Sequence, residues 1–229
     1  MITSKATPNT FVFIPAEHGF FDDLVTMLVS LSSYMYTMHV SLASNHPTPF
    51  EQRPLEEWVN YLLPIRSLEF PFSLERTATK DKIIVFPAAI LMHLSLDGWP
   101  DFIEYQVAPA LPTSPEARLT AQGNRHVIGR IVGASFTNYY SNCEATIKAG
   151  YSNVIDKWPE PLRFAWVIRN GFAHGGNLRI SDTKLRPATW KIWSFDHSDD
   201  DAAFLFTPGK LGIGDIITLM EDIDTFVRP

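Results

Sequence analysis

Ile128, Val132, Phe136, Tyr139, Cys143 and Ile147 recur at steps of three or four, the spacing that gathers side chains on one face of an α-helix. A helix over Arg125–Ala149 spans roughly 37 Å at 1.5 Å per residue, long enough to form the spine of a bundle. Residues 20 to 44 carry a second helical pattern, stopped by Asn45-His46-Pro47 because proline cannot continue the hydrogen-bond ladder. The proline-rich passage that follows leaves room for one short helix, around PLEEWVNYLL. From Lys80 to Leu96 the chain is strongly apolar again and reads as a further helix, kinked or started at Pro87, with a strand alternative at IIVF.

VAPALPTSPEA is the best candidate linker. Nothing in its composition divides the chain, so one domain is expected over 1–229, with 1–110 as a helical N-terminal part and 115–229 as its core. After the long helix comes WPEPLRFAWVIRNGFAHGG, in which Pro159, Glu160 and Pro161 suit a first helical turn and Gly175 and Gly176 suit a left-handed C-terminal cap. The period then changes: LRISD, ATWKIWSF and AFLFT read as short strands, with DHSDDDA as a polar connection. Asp215 is placed to cap a closing amphipathic helix. The expected fold class is mainly α: a helical bundle with a small β-hairpin or sheet inserted before the C-terminal helix.

Composition narrows the function classes. The single cysteine, Cys143, precludes an internal disulfide and a thiolate zinc cluster. The N-terminus lacks the basic start and apolar run of a secretory signal, so a cytoplasmic location is expected. Residues 24 to 42 are uncharged, but their many hydroxyl groups point to a buried helix rather than a membrane span. A formal charge of −6 argues against a surface built for non-specific nucleic-acid binding. From Arg163 to Lys191, however, six basic residues (Arg163, Arg169, Arg179, Lys184, Arg186 and Lys191) stand against Asp182 alone.

Inside that basic stretch lies RNGFAHGG, residues 169 to 176. An imidazole exchanges a proton near neutral pH, and a guanidinium can hold two phosphate oxygens as charge builds in a transition state. Such a set suits cleavage of a phosphodiester by RNA's own 2′-hydroxyl, with no metal or other cofactor. Asn170 would orient the histidine or a substrate oxygen. On an ideal helix Asn170 and His174 share a face with Arg163, whereas Arg169 points about 140° from His174. The two groups therefore meet only if the last turn distorts at the glycines, or if two copies of the helix come together.

Arg169, Asn170 and His174 within a helix end reading AHGG resemble the R-x4–6-H motif of the HEPN superfamily. The long helix before the motif, the tryptophan-containing hairpin after it and the final amphipathic helix are also similar to the plasmid and phage-defence branches of that superfamily, over about residues 115 to 229. The resemblance implies an all-α bundle that dimerises through the motif helices, and a metal-independent endoribonuclease site built from both subunits, often in a toxin or in anti-phage defence and often with an antitoxin or other partner protein. Carried over, Arg169 binds the scissile phosphate, Asn170 supports the site and His174 handles the proton, while Arg163, Arg179 and Lys191 are candidate substrate-binding residues. A non-catalytic dimer that holds a nucleotide, an RNA or a protein is the alternative.

Elsewhere the chemistry-bearing residues read plainly. Glu17-His18 and His93 stand alone, His39 and His46 are helix-end histidines without a third ligand, and Asp199, Asp200 and Asp201 form a solvated turn. Cys143 belongs to an apolar stripe. Trp190 and Trp193 are expected on opposite faces of a strand, one buried and the other a candidate platform for stacking on a base, with core packing the favoured role.

Overall fold

The computed structural model describes residues 10–44, 72–86, 90, 94, 98–110, 115–183, 185–205 and 210–228. Within them the chain forms β1 (Thr10–Pro15), α1 (Phe21–Ser44), β2 (Phe72–Arg76), β3 (Asp81–Val85), β4 (Phe102–Pro109), α2 (Pro115–Tyr151), α3 (Glu160–Ala173), β5 (Ala188–Trp190), β6 (Trp193–Phe195) and α4 (Ile213–Val227). Short 3-10 turns lie at Ile155–Lys157 and His197–Asp199. β1 to β4 make an antiparallel sheet in the order β1-β4-β3-β2, and β5 pairs with β6 in a separate hairpin. The architecture is mixed α/β, which corrects the expected mainly α bundle and the helical reading of residues 1–110.

β4 carries the physical reason. Ile103, Tyr105 and Val107 are buried while Phe102 and Glu104 are exposed, a period of two that only a strand satisfies. Val12 and Ile14 of β1 lie opposite Tyr105 and Ile103, and Ile83 of β3 lies opposite Val107 on one side and Leu74 of β2 on the other. In the stretch from 80 to 96, Ile83-Ile84-Val85 is β-branched throughout, which disfavours helix and suits a pleated surface. The strand alternative is therefore what forms, while Ile90 and Leu94 are helical. Lys80, at φ 57°, sits in the turn before β3, and the Arg76 guanidinium closes that turn with two hydrogen bonds to the Asp81 carboxylate, 2.7 and 2.6 Å.

The candidate linker is mostly structured: Val107–Pro109 end β4, and α2 starts at Pro115. LRISD and Ala203–Leu205, the described part of AFLFT, are not strands. Ala203 and Leu205 make isolated bridges, to Asn177 and Leu211, and within LRISD the Ile180 N–H is taken by the Asp200 carboxylate at 2.7 Å rather than by a neighbouring strand. The short helix expected around PLEEWVNYLL and the Asn45-His46-Pro47 stop lie outside the described residues.

The helices pack where their apolar faces require. α2 lies against α1, α3 and α4, and the N-terminus of α4 meets β2. Asp215 is not the N-cap; Gly212 is. From the first turn of α4 the Asp215 carboxylate accepts the N–H groups of Gly212 and Thr77, each at 2.8 Å, and of Ala78 at 3.3 Å. One side chain thus caps the helix and ties it to the β2–β3 turn. A Cβ at Gly212 would strike the Glu75 carbonyl, so a glycine is needed at this junction. A continuous hydrophobic core runs from Ile14 to Ile223. Among the described residues no helix is long and apolar enough to cross a membrane.

Candidate functional site

α3 is the helix that carries the motif, and it is buried on most sides. Its Phe172 ring packs against Phe136 of α2 at 5.8 Å and Phe204 at 5.0 Å, while Phe164 stacks on Phe195 and lies beside Trp190 of the hairpin. Pro159 precedes the first turn and Pro161 sits in it, where neither removes a needed hydrogen bond. At the other end, Gly176 donates to the Gly171 carbonyl at 2.9 Å and Gly175 to the Phe172 carbonyl at 3.2 Å. Both glycines have positive φ, 81° and 97°, the paired bonding of a Schellman cap.

Because the left-handed turn begins after His174, the helix is regular through Arg169 and Asn170, and His174 keeps a near-helical backbone at φ −104°, ψ 28°. The glycines therefore do not swing His174 toward Arg169. Within one chain the imidazole is exposed at the helix end, and the guanidinium belongs to a different face.

Arg169 is half-buried. Its Nη1 donates to Asn170 Oδ1 at 3.2 Å, and its Nε is buried without an acceptor. Tyr140 of α2, fully buried, also has a hydroxyl without a hydrogen-bond partner. Burial, and then Glu144, push the Tyr140 phenol above its ordinary range, while the positive charge of Arg169 pulls it down. Arg169, Asn170 and Tyr140 thus form a polar seam between α2 and α3 with unused donors, close in sequence to an exposed imidazole.

The candidate substrate-binding residues are dispersed. Arg163, 4% exposed, donates from Nη2 to the Pro187 carbonyl at 2.6 Å, toward the hairpin and one helix length from His174. Arg179 is exposed and pairs with Asp201 at 3.4 Å. Lys191 lies 4.8 Å over the Trp190 ring and 3.5 Å from Asp222. Arg169 and Asn170 are brought into direct contact; Arg163, Arg179 and Lys191 each hold separate partners.

Trp190 and Trp193 are both buried and stack on each other at 5.6 Å, which corrects the expectation that one faces solvent. The chain turns between them, with Lys191 at φ 52°, so they belong to two strands and oppose each other on one face. Trp190 Nε1 donates to Asp222 at 2.7 Å. Asp199–Asp201 do more than solvate a turn: the Asp199 side chain accepts the Asp196 N–H, and Asp200 and Asp201 hold Ile180, Asn177 and Arg179. Cys143 is buried, and burial pushes its thiol up, as a packing role requires.

His18 is not alone. Its Nδ1 lies 3.1 Å from Asp224 of α4, whose other oxygen accepts the Gly19 N–H at 3.2 Å and faces Arg228 Nε at 3.8 Å. The two residues are 206 positions apart, and no local pattern in the sequence announces the contact. His93, His46 and the side chain of His39 lie outside the described residues. No protein-family model matches the chain, and neither a curated protein nor a solved structure matches it.

Proposed function

We propose that the chain is an RNA-cleaving protein of HEPN-like chemistry, working without a metal at a site completed by a second copy. The observation that carries this reading is the Arg169–Asn170 contact: a half-buried guanidinium, oriented by an amide at 3.2 Å and retaining an unpartnered Nε, in the last turns of a helix that ends on exposed His174. Arginine held in this way is preorganised for a phosphate, because its fork already has a direction and its Nε lacks an acceptor.

In the proposed reaction the 2′-oxygen attacks phosphorus, its proton passes to the His174 imidazole of one copy, and the 5′-oxygen leaves with a proton returned by that same imidazole. The products are a 2′,3′-cyclic phosphate and a 5′-hydroxyl. Arg169 holds the non-bridging oxygens as charge gathers on them, and Asn170 fixes the arginine. A regular helix separates Arg169 and His174 by about 140°, so a twofold pairing supplies His174 from one copy and Arg169 from the other. This pairing would be a homodimer, and an antitoxin or other partner protein that masks the exposed end of α3 would regulate it.

The test is incubation of the purified chain with mixed RNA in EDTA beside His174→Ala and Arg169→Ala. Cleavage that ends in cyclic phosphate and is absent from both variants supports the reading; equal activity in variants and wild type refutes it. A second reading, retention of RNA or nucleotide without turnover, is favoured by the separation of Arg169 and His174 within one chain. It is met if RNA binds at low salt, both variants weaken binding, and no product forms.

A further inference from the structure

At the opposite end of α3 a small cavity opens between the helix, the Ile155–Lys157 turn and the hairpin, lined by Arg163, Trp166, Arg186, Ile180 and Phe195 among others. We propose that this cavity is a binding site for a phosphoryl group, in which Arg163 and Arg186 together hold an anionic oxygen. It lies about 16 Å along the helix from His174, at 1.5 Å per residue, and is independent of the cleavage reading.

Three observations carry the proposal. Arg163 is 4% exposed, yet among the described residues its guanidinium makes a single hydrogen bond, from Nη2 to the Pro187 carbonyl, and both Nε and Nη1 are buried without an acceptor. A guanidinium keeps its charge in any protein setting, and a carbonyl can accept one N–H without neutralising it. Placing that cation out of water without an ion partner is costly, so it calls for an anion.

Secondly, the charged side chain that shares the cavity is another cation. Arg186 donates from Nη2 to the Asp156 carbonyl, which anchors it at the rim. Burial first, and then Arg186, lower the Arg163 pKa; Asp156 and Glu160 act in the opposite sense, without hydrogen-bonding to Arg163. Two neighbouring guanidinium groups match the double charge of a phosphoryl group better than the single charge of a carboxylate.

Thirdly, the cavity has room for about one water-sized atom. A tetrahedral phosphoryl group can place one oxygen inside, against Arg163, and leave the others at the rim with Arg186. Trp166, half-buried at the same rim, gives the rest of the ligand an aromatic surface. The phosphoryl group can come from free phosphate or a mononucleotide, or from the phosphorylated end of an RNA strand.

The experiment uses the full chain at constant ionic strength. Inorganic phosphate, a 5′-phosphorylated oligoribonucleotide and its 5′-hydroxyl counterpart are each titrated, with thermal melting and the Arg Nε–H and Trp indole NMR signals as readouts. A saturable response to phosphate, with a melting point raised by several degrees at about a hundredfold excess over Kd, is expected. A response to the phosphorylated strand but not to phosphate or the hydroxyl strand assigns the site to RNA ends and also supports the proposal.

Arg163→Met is expected to melt higher than wild type without phosphate, because it removes an uncompensated buried charge, and to lose the phosphate response. Arg186→Ala, at the rim, is expected to weaken the response about tenfold without that rise, and it serves if the methionine variant does not fold. No saturable response in the wild type, or an undiminished response in either variant, overturns the proposal. Neither result depends on RNA cleavage, so failure here is distinct from failure of the cleavage reading.

Discussion

The two ends of α3 treat their arginines differently. Arg163, near the first turn, is sunk against the hairpin with one carbonyl as acceptor and a second arginine for a neighbour. Arg169, near the last turn, is half-buried, touches an amide, and acts on a tyrosine hydroxyl across the seam with α2. The contrast teaches that residue type and helix position do not fix a role. What surrounds the guanidinium does: Arg163 faces a small, mostly apolar cavity beside a second arginine, whereas Arg169 lies near an open helix end with an exposed histidine, and the two proposed roles follow from that difference.

The largest effects should come from the C-terminal end. If the wild type cleaves RNA, His174→Ala should lower the rate by about 10²–10⁴-fold and Arg169→Ala by about 10²–10³-fold, measured as initial rates with folding checked by circular dichroism. Loss confined to one of the two would break the idea of a joint site.

Gly171→Val should come next. A Cβ at Gly171 would lie 2.5 Å from the Phe204 ring, so overpacking should destabilise the fold by about 1–3 kcal/mol in urea unfolding. The N-terminal cavity should keep its phosphate response.

Gly175→Ala should cost less, about 1 kcal/mol. Nothing lies within 4 Å of the added methyl, and the whole penalty is the left-handed φ of 81°. A larger loss would mean that the cap supports more than the helix end.

Away from both ends, Glu221→Gln should shift only pH dependence. Glu221 accepts the Tyr105 hydroxyl at 3.1 Å, and burial raises its pKa. A carboxyl with a raised folded-state pKa binds its proton more tightly in the native state. It opposes folding fully above that pKa and ceases to do so below its unfolded value, about pH 4. The variant should therefore melt higher than wild type at neutral and alkaline pH, with the difference vanishing toward pH 4. A constant difference across pH would contradict the burial argument.

Much of the C-terminal half was legible because its helices are amphipathic on one side and end in recognisable chemistry. The stripe from Ile128 to Ile147 places α2, and the glycine pair after His174 announces the cap. The sheet was harder to read. In β1 the outward residues Phe11 and Phe13 are as apolar as the inward Val12 and Ile14, so the period of two is hidden. In β4 the alternation is present, but the prolines beyond it gave that stretch the look of a linker. The motif RNGFAHGG was readable because its residues are adjacent. His18–Asp224 and the Arg163–Arg186 cavity were not, because they depend on segments that only the tertiary fold brings together. The paired tryptophans were misplaced for a related reason: a two-residue turn between them reverses the chain and moves both to one face.

The central claim is that cleavage needs Arg169 and His174 from two copies. The most direct measurement mixes purified Arg169→Ala with His174→Ala under conditions that allow subunits to exchange, and follows RNA cleavage in EDTA. Each variant alone should be inactive, and the mixture should recover about a quarter of wild-type activity, since half the pairs are mixed and each mixed pair has one intact site of two. A mixture as inactive as its components, with a wild type that cleaves and exchange confirmed, would contradict the shared site.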